Sequence, residues 1–341
     1  MTMMNLSLVA PSVLPLLLAA VMLVSWFMAP STVKLCRRLG MVAAVVARSS
    51  HSVPTPHGGG FLMPLLFIPV GLALTWAWPM PFKGYLTMLL LAGALVAYVG
   101  WLDDRHELSP RFRLVIHLLA VAVTLALLPR LFDFMPLWLE KAILMFGWAW
   151  FVNLYNFMDG ADGLASSQAV AMGIGLSVVV PAFAPLGLLL AAVTLGFMRV
   201  NAPKAKVFMG DVGATWLGYT LAGLFLLAAV DDTVNIIWPL ATLPLVFAAD
   251  ATSTLFRRIV TGHKPWEPHK TFWFHRYLAL GRSHLQLVRT VAFINLSLLA
   301  LAFAFHKLGH PGWGFVVGVL EICAIAWYIR HREKARPSKV A

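Results

Sequence analysis

Residues 153–165 read Asn153-Leu-Tyr-Asn156-Phe-Met-Asp159-Gly-Ala-Asp162-Gly-Leu-Ala165 and lie directly between two long apolar runs. Asn153, Asn156, Asp159 and Asp162 recur every third residue, so near-helical backbone sets the four on one face. Gly160 and Gly163 follow the two acids and let the backbone bend and approach a ligand closely. Oxygen side chains converging beside a membrane suit a hard cation and a phosphorylated ligand. The plainer reading is a polar turn between two helices, but a turn does not require this many oxygens in register.

The flanking runs set the class. The 341 residues are 60% hydrophobic and 12% charged, with mean hydropathy +0.81. A soluble globular fold does not need that much apolar surface, so the expectation is an all-α, polytopic membrane protein. Apolar runs fall near 6–29, 59–79, 84–102, 112–129, 135–152, 164–181, 184–199, 212–230, 234–256, 285–306 and 311–330. At about 20 residues per crossing, these are about eleven transmembrane helices. Pro181-Ala-Phe-Ala-Pro185 marks a tight turn between two of them. The run at 6–29 is too long for a signal peptide and has no positive leader, so it reads as a retained span. Nothing resembles a repeat or a separate soluble domain. One membrane domain covers 1–341, with 330–341 a basic tail.

Charge orients the bundle. One set of loops carries Lys34, Arg37, Arg38, Arg48, Arg105, Arg111, Arg113, Arg199, Lys204, Lys206 and the basic residues of 257–282, together with the tail. The other set holds only Lys83, Arg130, Lys141 and Lys307. The bias toward positive residues inside places the N-terminus outside and the C-terminus in the cytoplasm. The net charge of +12 then reflects loops held beside anionic lipid, and no nucleic-acid partner is expected. Cys36 and Cys323 suggest neither a disulfide nor a metal site.

With that orientation every polar cluster of interest falls on one face: His51 to Gly60, Asp103-Asp104, Asn153 to Asp162, Asn201 to Asp211, and His263 to His284. The outward loops hold little but Asp133 and Asp231-Asp232. A secondary transporter for a nucleotide-sugar or anionic solute is the rival class. It would carry acids near mid-span, and these are nearly absent, Asp250 being the exception.

Each cluster has a chemical reading. Asp103 and Asp104 end the third span, where adjacent acids repel unless a cation neutralises them. Either Mg²⁺ or Arg105, Arg111 and Arg113 would serve. Asp211 stands between Gly210 and Gly213 at a span's start, as a helix cap or a metal ligand. The stretch Asn201-Ala-Pro-Lys204-Ala-Lys206 offers cations for phosphates. Pro54-Thr-Pro-His-Gly58-Gly59-Gly60 offers backbone N–H groups near a helix start, a ready anion site, or is simply a flexible loop. His263, His269, His275 and His284 lack zinc-type spacing and read better as donors to a diphosphate.

Taken together, Asp103-Asp104, Asn153-x-x-Asn156-x-x-Asp159-Gly-x-Asp162-Gly-Leu-Ala165 and Phe208-Met-Gly-Asp211-x-Gly213 resemble, in order, the motifs of the polyprenyl-phosphate N-acetylhexosamine-1-phosphate transferases (glycosyltransferase family 4). The resemblance covers most of the chain. It implies ten or eleven spans in a bacterial inner membrane and a cytoplasmic active site. It implies transfer of a sugar-1-phosphate from a UDP-N-acetylhexosamine to undecaprenyl phosphate with Mg²⁺, Mn²⁺ being the alternative ion, and release of UMP. Carried over, Asp211 and Asp104 would hold the metal, and Asp103, Asp104 and Asp159 would form the catalytic set. Asn156, Asp162, Gly58, Gly59, Lys206, His269 and His275 would bind substrate. The segment Glu267-Pro-His269 followed by His275-Arg-Tyr277 is similar to the O-antigen-initiating branch, where Glu-x-His and a later His-x-Tyr recur. Gly-Ala at 213–214, where many members have Gly-Ser, departs from the pattern. A homodimer is an added expectation.

Overall fold

The computed structural model describes residues 12–43, 53–264 and 269–335. The start of the first expected span, Arg48, His51, Trp266, Glu267 and the end of the basic tail lie outside the described residues. The chain forms thirteen helices there: α1 (Val13–Arg38), α2 (Leu62–Ala77), α3 (Lys83–His106), α4 (Pro110–Leu127), α5 (Leu137–Phe157), α6 (Leu164–Val179), α7 (Ala184–Asn201), α8 (Gly210–Ala228), α9 (Thr233–Thr242), α10 (Leu245–Val260), α11 (Trp273–Ala279), α12 (His284–Lys307) and α13 (Pro311–Lys334). A two-residue ribbon pairs β1 (Val42–Ala43) antiparallel with β2 (Thr55–Pro56).

Eight of these helices are long and apolar enough to cross a membrane. The pair α9 and α10 is bent by 72° at its junction and makes a ninth only if the two halves count as one span. The expected runs at 135–152 and 164–181 form α5, of 21 residues, and α6, of 16, which are not among those eight. The expected all-α polytopic architecture is therefore present. One continuous apolar run, 234–256, proves to be two helices. Pro244 sits in the junction, where it has no N–H to extend a helix. The carbonyl of Leu243 at the break accepts Gln168 Nε2 at 3.0 Å, and Asn295 Nδ2 donates to Gln168 Oε1 at 2.8 Å. In an apolar surround such partners are what makes irregular backbone tolerable.

The centre of the bundle is α8, the most enclosed span, while α1 and α13 face outward along most of their length. Its approach to α3 is unusually close. A Cβ on Gly100 would lie 2.7 Å from Val212 Cα and from Val212 N, so only glycine lets the end of α3 rest on the start of α8. That contact brings Asp103 and Asp104 beside Asp211. The reading of acids needs two additions. Glu140, fully buried at the far end, accepts Leu131 N–H at 2.9 Å and lies beside Arg130. Glu321, within α13, accepts Ser297 Oγ at 2.9 Å. Asp250 is therefore not the single acid within the spans.

Candidate active site

The site is assembled on the first turn of α8. Its leading N–H groups have no partner within the helix, and two carboxylates from elsewhere face them. Asp104 Oδ1 accepts the N–H of Asp211 at 2.9 Å, and Asp104 Oδ2 accepts that of Val212 at 3.0 Å. The N–H of Gly210 faces Asp159 and favours its charged form. Gly210 has φ +75°, and a Cβ there would stand 2.5 Å from Asp104 Oδ2 and 2.6 Å from Gly58 Cα. The positive end of a helix dipole favours this gathering of charge.

Around that turn the remaining acids share a cation. Arg113, in the first turn of α4, donates through Nη1 to Asp103 Oδ2 and to Asp211 Oδ2. The other oxygen of Asp103 accepts Leu108 N–H at 2.7 Å, which shapes the α3–α4 turn. Asp159 lies deep among protein atoms yet keeps a partly open face. Burial, followed by the charges of Asp211 and Asp104, pushes its carboxyl well above the ordinary carboxylate range.

The 54–60 loop closes one side. Its backbone is laced to the strand before α8: Phe208 N–H to Pro56 O at 2.8 Å, Gly59 N–H to Phe208 O at 3.0 Å and Gly60 N–H to Met209 O at 2.9 Å. The N–H groups of Gly59 and Gly60 are thus engaged, and those two are not the free anion donors expected of the triplet. The glycines serve close approach instead: a Cβ on Gly58 would meet Met41 Cε at 2.4 Å, and one on Gly59 would meet Val207 Cγ2 at 2.5 Å. His57, absent from the expected set, bonds through Nε2 to the Asp104 carbonyl at 2.9 Å.

The four-residue face expected over 153–162 is divided. Helix α5 ends at Phe157, so Asp159 and Asp162 belong to a turn rather than to a continued helix. Asn153 Nδ2 donates back to Ala149 O at 2.8 Å, within its own helix. Asn156 is half-buried and carries no side-chain hydrogen bond among the described residues. Asp162 is turned away from the α8 cluster: its Oδ2 accepts Ala205 N–H at 3.1 Å, and its own N–H donates to His284 Nδ1 at 3.2 Å. It braces the 202–207 loop, on which Lys206 is exposed one residue beyond Ala205.

His275 arrives on α11, and His269 on the segment just before it. Phe274 and His275 cover Gly160, where a Cβ would stand 2.6 Å from Phe274 Cζ and 3.7 Å from His275 Cε1. His275 thus lies against Gly160, the residue that follows Asp159 in the chain, and its Nδ1 is buried without a partner. Burial, His269 and Lys270 push its pKa down to about 4. His269 is also lowered to about 4, by burial and by Arg258 and Arg257. Its Nδ1 lies 2.9 Å from Thr271 Oγ1. Both rings are therefore neutral at physiological pH. Asp250 caps this helix, accepting Trp273 N–H at 2.7 Å and Phe274 N–H at 3.1 Å.

A hard divalent ion fits this donor set. Asp103 and Asp211 aim oxygens at one point, now held by a guanidinium nitrogen, and the surrounding acids repel one another. Among the described residues no three ligands stand in a ready-made cage. Mg²⁺ does not require one, since it keeps waters and phosphate oxygens and takes one or two carboxylates. Geometry favours Asp103 over the expected Asp104 as the companion of Asp211, because both Asp104 oxygens already accept α8 N–H groups.

Arg113 had been read only as a neutralising charge. Its spacing from Asp103 carries no signal until the α3–α4 turn is known.

Comparison with known proteins gives the family. The profile of glycosyl transferase family 4 matches residues 86–229, from α3 through α8. A probable undecaprenyl-phosphate N-acetylglucosaminyl 1-phosphate transferase of Bacillus subtilis is 30% identical over 288 residues, covering 78% of this chain and 77% of that protein. A phospho-N-acetylmuramoyl-pentapeptide-transferase of Picosynechococcus is 31% identical, covering 88% of each chain. A decaprenyl-phosphate N-acetylglucosaminephosphotransferase of Mycolicibacterium smegmatis is 26% identical, covering 84% of this chain and 81% of that one. The chain belongs to the polyprenyl-phosphate hexosamine-1-phosphate transferases of glycosyl transferase family 4.

Proposed function

We propose that this protein transfers an N-acetylhexosamine-1-phosphate from a UDP-sugar to undecaprenyl phosphate, releasing UMP, on the cytoplasmic face of a bacterial inner membrane, and so initiates an O-antigen or related envelope glycan. The observation that carries the reading is the convergence of Asp103 and Asp211 on one cationic nitrogen, beside Asp104 and Asp159, at the start of α8. The relatives named above support the lipid acceptor and the phosphosugar.

In the reaction an oxygen of the lipid phosphate attacks the phosphorus that bears the sugar. The bond from that phosphorus to the UMP oxygen breaks, and UMP leaves with the electron pair. Attacker and target are both anions, so electrostatic stabilisation carries most of the catalysis. Asp211 and Asp103 would hold Mg²⁺, which supplies neutralisation of the diphosphate and of the leaving phosphate. Arg113, displaced from its two carboxylates, is placed to follow the phosphate charge. Neutral His275 donates to the diphosphate beside Gly160, and the open side chain of Asn156 meets the nucleotide side. Asp104 keeps α8 in place. The lipid phosphate has a second pKa of about 6 and is mostly dianionic at neutral pH. No strong base is required, and direct attack is the simpler scheme.

The test is UMP release by purified protein given undecaprenyl phosphate, Mg²⁺ and a panel of UDP-N-acetylhexosamines, with Asp211→Asn as control. Release that needs lipid and metal and is lost in the variant establishes the reaction, and the preferred donor names the sugar. No release from folded protein with any donor rejects it. The acids within the spans that a transporter would use are engaged in structural contacts: Asp250 caps α11, Glu140 accepts Leu131 N–H and Glu321 accepts Ser297 Oγ.

A further inference from the structure

Helix α11 has only seven residues, too few to be stable alone, and Phe274 is its one buried side chain. A cavity of about 510 Å³ lies between α10, α11, α12 and α13, lined by Val246, Phe247, Trp273, Leu287 and Ile325 among others. Polar ties hold the helix over this space. Asp250 of α10 takes its first two N–H groups. Tyr277 OH meets Thr290 Oγ1 of α12 at 3.0 Å. Arg276 makes a two-pronged pair with Glu333 in the last turn of α13: Nε to Oε1 at 2.7 Å, and Nη2 to Oε2. Such forked guanidinium–carboxylate pairs fix orientation as well as distance. Arg276 follows His275 directly, so its anchor sets the rotation of α11 and with it the ring against Gly160.

We propose that Glu333, far along the chain from every motif of the site, is a positioning residue for the transfer reaction: through Arg276 it fixes α11 and hence His275. The inference rests on the transferase reading for its kinetic consequence, though not for its structural one. The last helix, which packs loosely at the edge of the bundle, thereby acquires a role in the site.

The experiment uses the full chain with Glu333→Gln, Arg276→Gln and the exchanged pair Arg276→Glu with Glu333→Arg. Hydrogen exchange of the α11 amides is measured without substrate, and kcat and KM are measured for UMP release. In Glu333→Gln, α11 should exchange faster while α3 and α8 keep their protection. Its kcat/KM for the UDP-sugar should fall about 10-fold or more, with the KM for the lipid unchanged. The exchanged pair should recover much of the loss. In a His275→Ala background, Glu333→Gln should cost almost nothing further, because the two act through one group. Unaltered α11 exchange in Glu333→Gln overturns the proposal whatever the activity. So does an equal loss with and without His275, or a lowered melting temperature with kcat/KM intact. A wild-type chain that releases no UMP overturns the transferase reading instead, and the exchange result then judges the clamp alone.

Discussion

The carboxylate of Asp104, near the end of α3, accepts the backbone N–H of Asp211, in the first turn of α8, at 2.9 Å. Two acids from motifs far apart in the chain thus have different duties. Asp104 is spent on the helix that presents Asp211, and Asp211 keeps its side chain for a cation. Asp104→Asn should therefore destabilise the fold by on the order of 1–3 kcal/mol, because an amide can accept one of the two N–H groups and opposes the other. Asp211→Asn should leave the melting temperature equal or higher, since it removes like-charge repulsion, yet lower kcat by on the order of 10²-fold or more. Thermal unfolding in detergent beside the UMP assay separates the two. Equal melting shifts would contradict the division of labour.

Arg113 occupies the point on which Asp103 and Asp211 converge. If an ion uses those oxygens, the guanidinium competes with it. Arg113→Ala should then bind Mg²⁺ more tightly, seen as a melting-temperature rise at lower metal concentration than in the wild type, while UMP release falls. Weaker metal stabilisation in the variant would show that Arg113 supports the ion rather than excludes it.

The pH dependence follows from two groups outside the spans. Asp159 is raised in the folded state. From about pH 4 upward the unfolded chain gives up this proton while the folded chain retains it, so stability falls as pH rises toward the folded value. Asp159→Asn should accordingly raise the melting temperature of metal-free protein at pH 8. His275 is lowered to about 4. Between pH 6.5 and 4 the unfolded imidazole takes a proton that the folded one refuses, so its contribution is lost as pH falls through that window. Faster hydrogen exchange of α11 at pH 5 than at pH 7.5, after correction for intrinsic rates, checks this. His275→Gln should abolish the His275 share of the difference.

Gly160 is the floor on which α11 rests. Gly160→Ala places a methyl group 2.6 Å from Phe274 Cζ, closer than any real contact, so the ring and the helix must shift. The overall fold should survive, because the clash lies between a turn and a short peripheral helix. Activity should drop about 10-fold or more, in line with a small misplacement of a donor. A circular-dichroism melt and the UMP assay together test it, and an unchanged rate would mean that His275 does not act at this position.

Much of the architecture was legible from apolar run length alone, because a lipid-facing helix has to be apolar for about 20 residues whatever it packs against. The turn at 181–185 was legible too, appearing as a single 3₁₀ turn, Pro181–Phe183, between α6 and α7. The break inside 234–256 was not, since the apolar run continues across Pro244. What shows the break to be tolerable is the Gln168 side chain from another helix reaching Leu243 O. The acids of the site were visible as motifs, being rare charges at the ends of apolar runs. Their partners were not. Asp162 shares a three-residue spacing with Asp159, yet it turns to Ala205 and His284 because α5 stops at Phe157.

The order of residues therefore set the class, the crossings and the chemical types available, since partition into lipid and the cost of a lone charge act on local sequence. It was the packing of α3 on α8 through Gly100, the turn into α4 and the placing of α11 under Glu333 that assigned each acid and histidine its partner. Hydrogen bonds and ion pairs act over about 3 Å between groups that here lie more than a hundred residues apart, and a linear spacing cannot encode which of several identical carboxylates is near.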